Sequence, residues 1–203
     1  MPRRQTHPTA IYELEVTLRE STPRIWRRLL VPADTTLHRL HTILQATMLW
    51  EDYHLYEFQV GGGEEGVGST RYGIYEPEFL DEEPVIDARR TRLAAIAPAT
   101  GATLTYLYDF GANWRHDIVV RAIEPPDERR SSLLCIAGAR AGPPEDCGGI
   151  WAYHDLLALL KRRRGEAYDE MLTWLGGDFD PDGFDRNLVN RHLRELRGKA
   201  TTG

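Results

Sequence analysis

The 203-residue sequence has only two cysteines, Cys135 and Cys147, and nowhere strings together the roughly 18 apolar residues that a membrane-spanning helix needs. Two thiols cannot staple a chain of this length, so a disulfide scaffold is excluded and a reducing, cytoplasmic setting is expected. No partner in a membrane is expected either. The opening Met1-Pro2-Arg3-Arg4 leads into Ile11-Tyr12-Glu13-Leu14 without an apolar leader core, which argues against secretion. Positive charge is also in deficit. With 25 Lys and Arg against 31 Asp and Glu, the net charge is -6, and non-specific binding to polyanions lacks the cations on which it depends.

What remains is ordinary globular material, 41% hydrophobic and 28% charged, enough for one core. The expected organisation is a disordered arm over 1–9, a single domain over 10–197 and a disordered tail over 198–203. Leu14, Val16 and Leu18 alternate with Glu13, Glu15 and Thr17, the period of a half-buried strand, and a second strand over 25–31 follows the Ser21-Thr22-Pro23 turn. Asp34-Thr35-Thr36 then offers capping side chains to a helix carrying Leu37, Leu40, His41, Leu44 and Met48 on one face. Strands are predicted over 54–60, 103–108, 117–121 and 132–136, and helices over 151–163, 166–175 and 184–197. Residues 67–100 read as short irregular elements. Strands first and helices last predict an α+β fold: a mainly antiparallel sheet, one helix after the first two strands, and about three helices at the C-terminus. Leu37, Leu40, Leu44, Trp50, Phe58, Leu104, Tyr106, Ile118, Val120, Leu156, Leu160 and Trp174 are the expected core.

Familiar motifs fail on their details. Tyr108-Asp109-Phe110-Gly111 has the letters of a kinase magnesium loop without the glycine-rich and His-Arg-Asp loops that must accompany it. Gly61 to Gly68 lacks the Gly-Lys-Ser/Thr ending of a phosphate loop. Asp178, Asp180, Asp182 and Gly183 match the start of a calcium loop, but position twelve is Val189 where a bidentate Glu belongs. Lys161-Arg162-Arg163-Arg164 is the one basic run. It falls at a helix end, where cations meet the negative pole of the macrodipole, and it offers at most a weak phosphate contact.

The chemistry-bearing residues gather on connections. Asp109, Trp114 and His116 belong to one hairpin, and Glu145 and Asp146 to a Pro143-Pro144-Glu145-Asp146-Cys147-Gly148-Gly149 elbow. Polar side chains on connections are commonly binding groups held by a rigid sheet, so these five are predicted to line one concave site, with a carboxylate beside His116 favouring its charged form. The plain alternative is a structural turn and a structural elbow. No cofactor is expected. A divalent metal would draw on His41, His54, His116, Asp146 and Cys147, none of which has close ligand spacing.

Ile25-Trp26-Arg27, Leu40-His41 with Gln45 and Trp50, His54-Leu55 with Phe58, Tyr108-Asp109-Phe110-Gly111 with Trp114 and His116, the 143–149 elbow, and Asp180-Pro181 with Phe184 and Asn190 together resemble the plasmid pRiA4b ORF-3-like family, over residues 10–196. The resemblance implies a plasmid or mobile-element context, in which some members carry a transposon-passenger or resolvase-like label, and no established mechanism. Ala112 stands where the family usually has Asp, and Gly142 where a Cys often precedes the prolines. A serine recombinase would need an activated Ser among clamping arginines, and Ser131-Ser132 beside Arg129 and Arg130 has no further support. The resulting expectation is a non-enzymatic binding or accessory domain with an unknown protein or nucleic-acid partner. The alternative is a metal-assisted hydrolase or nuclease working between the 109–116 hairpin and the 145–149 elbow.

Overall fold

A computed structural model describes residues 10–62, 67–74, 84–126 and 132–199. The expected arm over 1–9, the acidic and proline-marked segments 76–78 and 81–83, and Arg129 to Ser131 lie outside the described residues. So does the end of the expected tail. Among the described residues eight strands form one sheet: β1 (Ile11–Leu18), β2 (Trp26–Pro32), β3 (Tyr56–Val60), β4 (Thr70–Gly73), β5 (Val85–Asp87), β6 (Thr103–Tyr108), β7 (Trp114–Glu124) and β8 (Leu134–Ala139). The helices are α1 (Leu37–Met48), α2 (Leu93–Ile96), α3 (Gly149–Arg162), α4 (Glu166–Leu175) and α5 (Arg186–Lys199). The strand order is β5-β4-β3-β6-β7-β1-β2-β8, and of these pairs only β4 with β5 is parallel. The α+β fold with a mostly antiparallel sheet and a C-terminal helix group is therefore observed as expected. Within 67–100 the structure adds two short strands and a one-turn helix, because elements of three or four residues are too brief to show a period.

Alternation in β1 sorts the sheet into two faces. Tyr12, Leu14, Val16 and Leu18 point into the core, and Glu13, Glu15 and Thr17 point away from it. On the outer face, Glu15 accepts hydrogen bonds from Arg24, Arg28 and Arg121, which hold its carboxyl down at about 2. The Arg24 and Arg28 guanidinium groups lie over the Trp26 ring at 5.5 and 5.9 Å. On the inner face α1 begins at Thr36, whose hydroxyl accepts from the Arg39 amide at 3.2 Å, and it ends at Leu49 in the left-handed region. Burial of Leu37, Leu40, Ile43 and Leu44 contributes about 1.5–3 kcal/mol per side chain before entropy is counted.

Among the described residues Arg27 is the one guanidinium fully buried in the core, and it is satisfied there. It donates to the carbonyls of Thr47, Trp26 and Ala139 and sits 4.5 Å from the Phe184 ring centroid, tying β2 to the end of α1, to β8 and to the approach to α5. Asn190 of α5 exchanges two hydrogen bonds with the Cys135 backbone. Two expected core positions differ. Leu160 is only partly buried, and Trp174 is 51% exposed, because α4 packs mainly against α3, setting Met171 and Leu175 partly against the core, and buries none of its residues completely. No described helix is long and apolar enough to cross a membrane.

Candidate functional site

Three connections meet at one end of the sheet: the 51–55 loop before β3, the 109–113 turn between β6 and β7, and the 143–148 elbow before α3. Two buried indoles fasten the elbow by its backbone. Trp50 donates to the Pro143 carbonyl at 2.8 Å, and Trp114 donates to the Glu145 carbonyl at 3.2 Å. A side chain at Gly149 would collide with the Ala112 carbonyl, its Cβ lying 2.4 Å from that oxygen, so the elbow and the hairpin turn touch backbone to backbone. Gly142 likewise leaves room for the Met48 carbonyl, 2.3 Å from where its Cβ would stand. A cysteine there would need that backbone to move.

The Glu145 carboxylate organises the loop opposite. It accepts from the Glu51 amide at 2.7 Å, from the Tyr53 amide at 3.5 Å and from the Tyr108 hydroxyl, which itself accepts the His54 amide at 3.2 Å. Asp109, at φ 54°, spends Oδ1 on the amides of Gly111 and Ala112 and turns Oδ2 toward His54 Nε2, 3.6 Å away. The same nitrogen lies 3.0 Å from Asp146 Oδ1. His54 is thus held between two carboxylates, and its pKa is raised, first by the hydrogen bond to Asp146 and then, against some desolvation, by the charges of Asp109, Asp146 and Glu145. Tyr53 stands exposed on the rim and donates to Glu51.

Of the five residues predicted to converge, Asp109, Glu145 and Asp146 supply carboxylates to this rim, and Trp114 supports it from beneath through its indole. His116 does not take a carboxylate partner there. It lies wholly in the core among Trp50 and Tyr106, at ring distances of 5.6 and 5.5 Å, with no side-chain partner for either ring nitrogen. Burial pushes its pKa down to about 4, with the Arg27 guanidinium acting in the same sense. The expected rise is therefore corrected to a fall. Strand parity held the reason: His116 shares the phase of Trp114, Ile118 and Val120, and so shares their burial. The histidine at the rim is His54, whose position before a strand was visible in the sequence but whose neighbours lie 55 and 92 residues away.

The remaining candidates have other surroundings. His41 is buried, with Nδ1 2.7 Å from the Tyr106 hydroxyl, Nε2 2.8 Å from Asp52 and its ring stacked 3.7 Å from that of Tyr56. Cys147 is partly covered, and burial pushes its thiol up to about 11, far from a thiolate at neutral pH. Among the described residues no three His, Cys, Asp or Glu side chains are grouped to hold a metal ion. Lys161 to Arg164 are exposed at the end of α3.

A helix-backed antiparallel sheet with a carboxylate-rimmed mouth at one end is the class of protein these features define. The chain belongs to the plasmid pRiA4b ORF-3-like family, whose pattern it matches over residues 10–188. It is similar to the uncharacterised protein y4hQ of Sinorhizobium fredii, 35% identical over 192 residues and covering 94% of each chain. It is also similar to the crystal structure of a protein of unknown function, MM3350, from Methanosarcina mazei Go1. The TM-score is 0.77 at 36% identity, covering 90% of this chain and 98% of that one.

Proposed function

We propose that the chain is a non-enzymatic binding domain, a cytoplasmic accessory of plasmid or mobile-element origin, which takes a cationic side chain of a protein partner at the His54 mouth. One observation carries this reading. The charges acting on His54 are the carboxylates of Asp146, Asp109 and Glu145, with Glu51 alongside at Tyr53, so the mouth keeps a negative surplus even with the imidazole protonated. Such a rim attracts a Lys or Arg and repels phosphate, in keeping with a net charge of -6. Exposed Tyr53 adds an aromatic face for the arriving cation.

Fluorescein-labelled deca-lysine tests this directly. It should bind in a salt-sensitive manner, deca-glutamate should not, and Asp109→Asn with Asp146→Asn should weaken deca-lysine at least fivefold. Unchanged affinity in that double variant would overturn the proposal. So would tighter binding of a 20-base-pair duplex at low salt that disappears when Lys161 to Arg164 are neutralised, which would make the partner a nucleic acid.

A hydrolase at the same mouth is the second reading, and a specific observation favours it: an imidazole oriented by carboxylates at Nε2, with Nδ1 left to take the proton, is the arrangement of an oriented general base. A metal-assisted version would draw on Asp109 of the hairpin and Glu145 or Asp146 of the elbow. Turnover of bis-p-nitrophenyl phosphate with magnesium, manganese or zinc, abolished by His54→Ala, would establish it in place of the binding role.

A further inference from the structure

The second helix of the C-terminal group stands off the core in a way its sequence does not explain. α4 has an amphipathic pattern, yet it buries no residue completely, and Trp174 leaves half its surface to solvent. Between α4 and α3 runs an open groove of about 430 Å³ lined by Ala152, Leu156, Leu159, Met171 and Trp174, with Asp146, Cys147 and Asp155 along its edge. Such an apolar trough beside a large exposed aromatic is the usual form of a docking site for one or two partner side chains.

The charges around the groove select its occupant. Asp146 belongs at once to the groove and to the His54 mouth, so the two are continuous. Asp155 lies on the α3 side, and on α4 exposed Glu170 stands one helical turn before Trp174. Across α4 the other flank is different: that cavity, of about 760 Å³, is lined by Arg140, Lys161 and Arg163 together with Asp178, Asp180 and Asp182. Only the flank that opens on the mouth is acidic without basic side chains in its lining.

We infer that the α3 and α4 groove receives the apolar anchor of a basic amphipathic segment of a protein partner, whose neighbouring Lys or Arg reaches the carboxylates at the His54 mouth. The inference rests on the cation-binding reading of that mouth and extends it to the form of the ligand. An apolar residue within about one helical turn of a cation matches the adjoining groove and carboxylates. Trp174 then acts as the floor of the anchor pocket, and Asp146 as the hinge between apolar and charged recognition.

A random 12-residue peptide library displayed on phage, selected on the immobilised full chain, tests the inference. Selected peptides should carry an aliphatic or aromatic residue within four positions of Lys or Arg. Labelled synthetic copies, followed by fluorescence anisotropy, should lose at least tenfold in affinity to Trp174→Ala and at least fivefold to the Asp109→Asn and Asp146→Asn double variant. Trp174 is half exposed, so its removal should leave the circular dichroism spectrum unchanged, and Trp174→Phe should restore most of the binding. Loss in the double variant without loss in Trp174→Ala overturns the groove and leaves the mouth standing. Loss in Trp174→Ala alone, with peptides lacking Lys and Arg, overturns the mouth and the basic partner together. No enrichment over the bare surface overturns the groove, while deca-lysine separately decides the mouth. A dimer in sedimentation that Trp174→Ala dissolves assigns this face to a second copy of the chain and overturns the inference as well.

Discussion

Acidification from pH 7 to pH 4 should cost the fold about 3 kcal/mol through His116 alone. The imidazole is fully enclosed, and burial beside the Arg27 guanidinium lowers its pKa from the ordinary 6.5 to about 4, backbone contacts with Trp114 and Tyr106 offsetting only part of the effect. A gap of about 2.5 pH units at about 1.4 kcal/mol each sets the size. The sign follows from which state takes the proton first. The unfolded chain protonates His116 near 6.5, while the folded chain keeps it neutral down to about 4. Stability from this residue is therefore whole above pH 6.5 and declines as the pH falls, by about 2 kcal/mol at pH 5 and about 3 kcal/mol at pH 4, the rest of the gap being lost below the folded pKa. Urea unfolding of the wild type and of His116→Phe, at half-unit steps from pH 7.5 to 4, measures it. Phe suits a pocket walled by Trp50 and Tyr106, and any constant offset between the two proteins is immaterial. The difference between the curves should shift by about 3 kcal/mol in favour of the variant as the pH falls. Parallel curves would refute the reasoning, since they would mean that the ring is charged, or freely chargeable, inside the fold.

Glu15→Gln should lower stability at pH 7 by about 1–3 kcal/mol, because three arginines converge on a carboxylate whose side chain is only 8% exposed. With the folded pKa depressed to about 2, that contribution is present above the usual carboxylate range and is lost as the pH falls toward 2, which urea midpoints across that window will show. His54 should titrate above the ordinary histidine value in an NMR pH series, and Asp146→Asn should bring its midpoint down; a midpoint unmoved by the substitution contradicts the assigned hydrogen bond. Gly149→Ala should destabilise by about 2 kcal/mol or more, since its φ of +89° and the Ala112 carbonyl both oppose a Cβ, and a melting temperature within a degree of wild type would count against the backbone contact.

Legibility in the sequence followed the length of the element and the separation of its partners. β1 showed its alternation, α1 its cap and apolar stripe, and α4 its two ends, because each signal lies within one element. The parallel pairing of β5 with β4 is carried by three residue pairs and leaves no periodic trace. The site was half legible. Asp109, Glu145 and Asp146 announced themselves as carboxylates on turns, whereas His54 joins them only because the sheet sets β3 beside β6, a long-range fact. His116 misled because proximity to Trp114 in a motif suggested a functional role, while the period of two already placed it with Ile118 in the core. Trp174 misled in the opposite sense: an apolar phase predicts burial only when there is a layer for it to meet.

The place of β1 in the strand order sets a timetable for the nascent chain. It is the third strand from one edge and lies between β2 and β7, yet it is made first. The hairpin with β2 can close at once, but Leu18 finds its partner His116 only when β7 emerges about a hundred residues later, some 5–20 s at ordinary rates of synthesis. Throughout that interval the β1 edge of the hairpin is open, as the β2 edge is until β8 follows, and it bears Leu14, Val16 and Leu18 on one side and Glu15, held by Arg24 and Arg28, on the other. The charged outer face thus guards an edge that the finished protein no longer has, and ribosome-bound chains that stop before Trp114 should be held by chaperones, while those long enough past Glu124 for β7 to have left the exit tunnel are released.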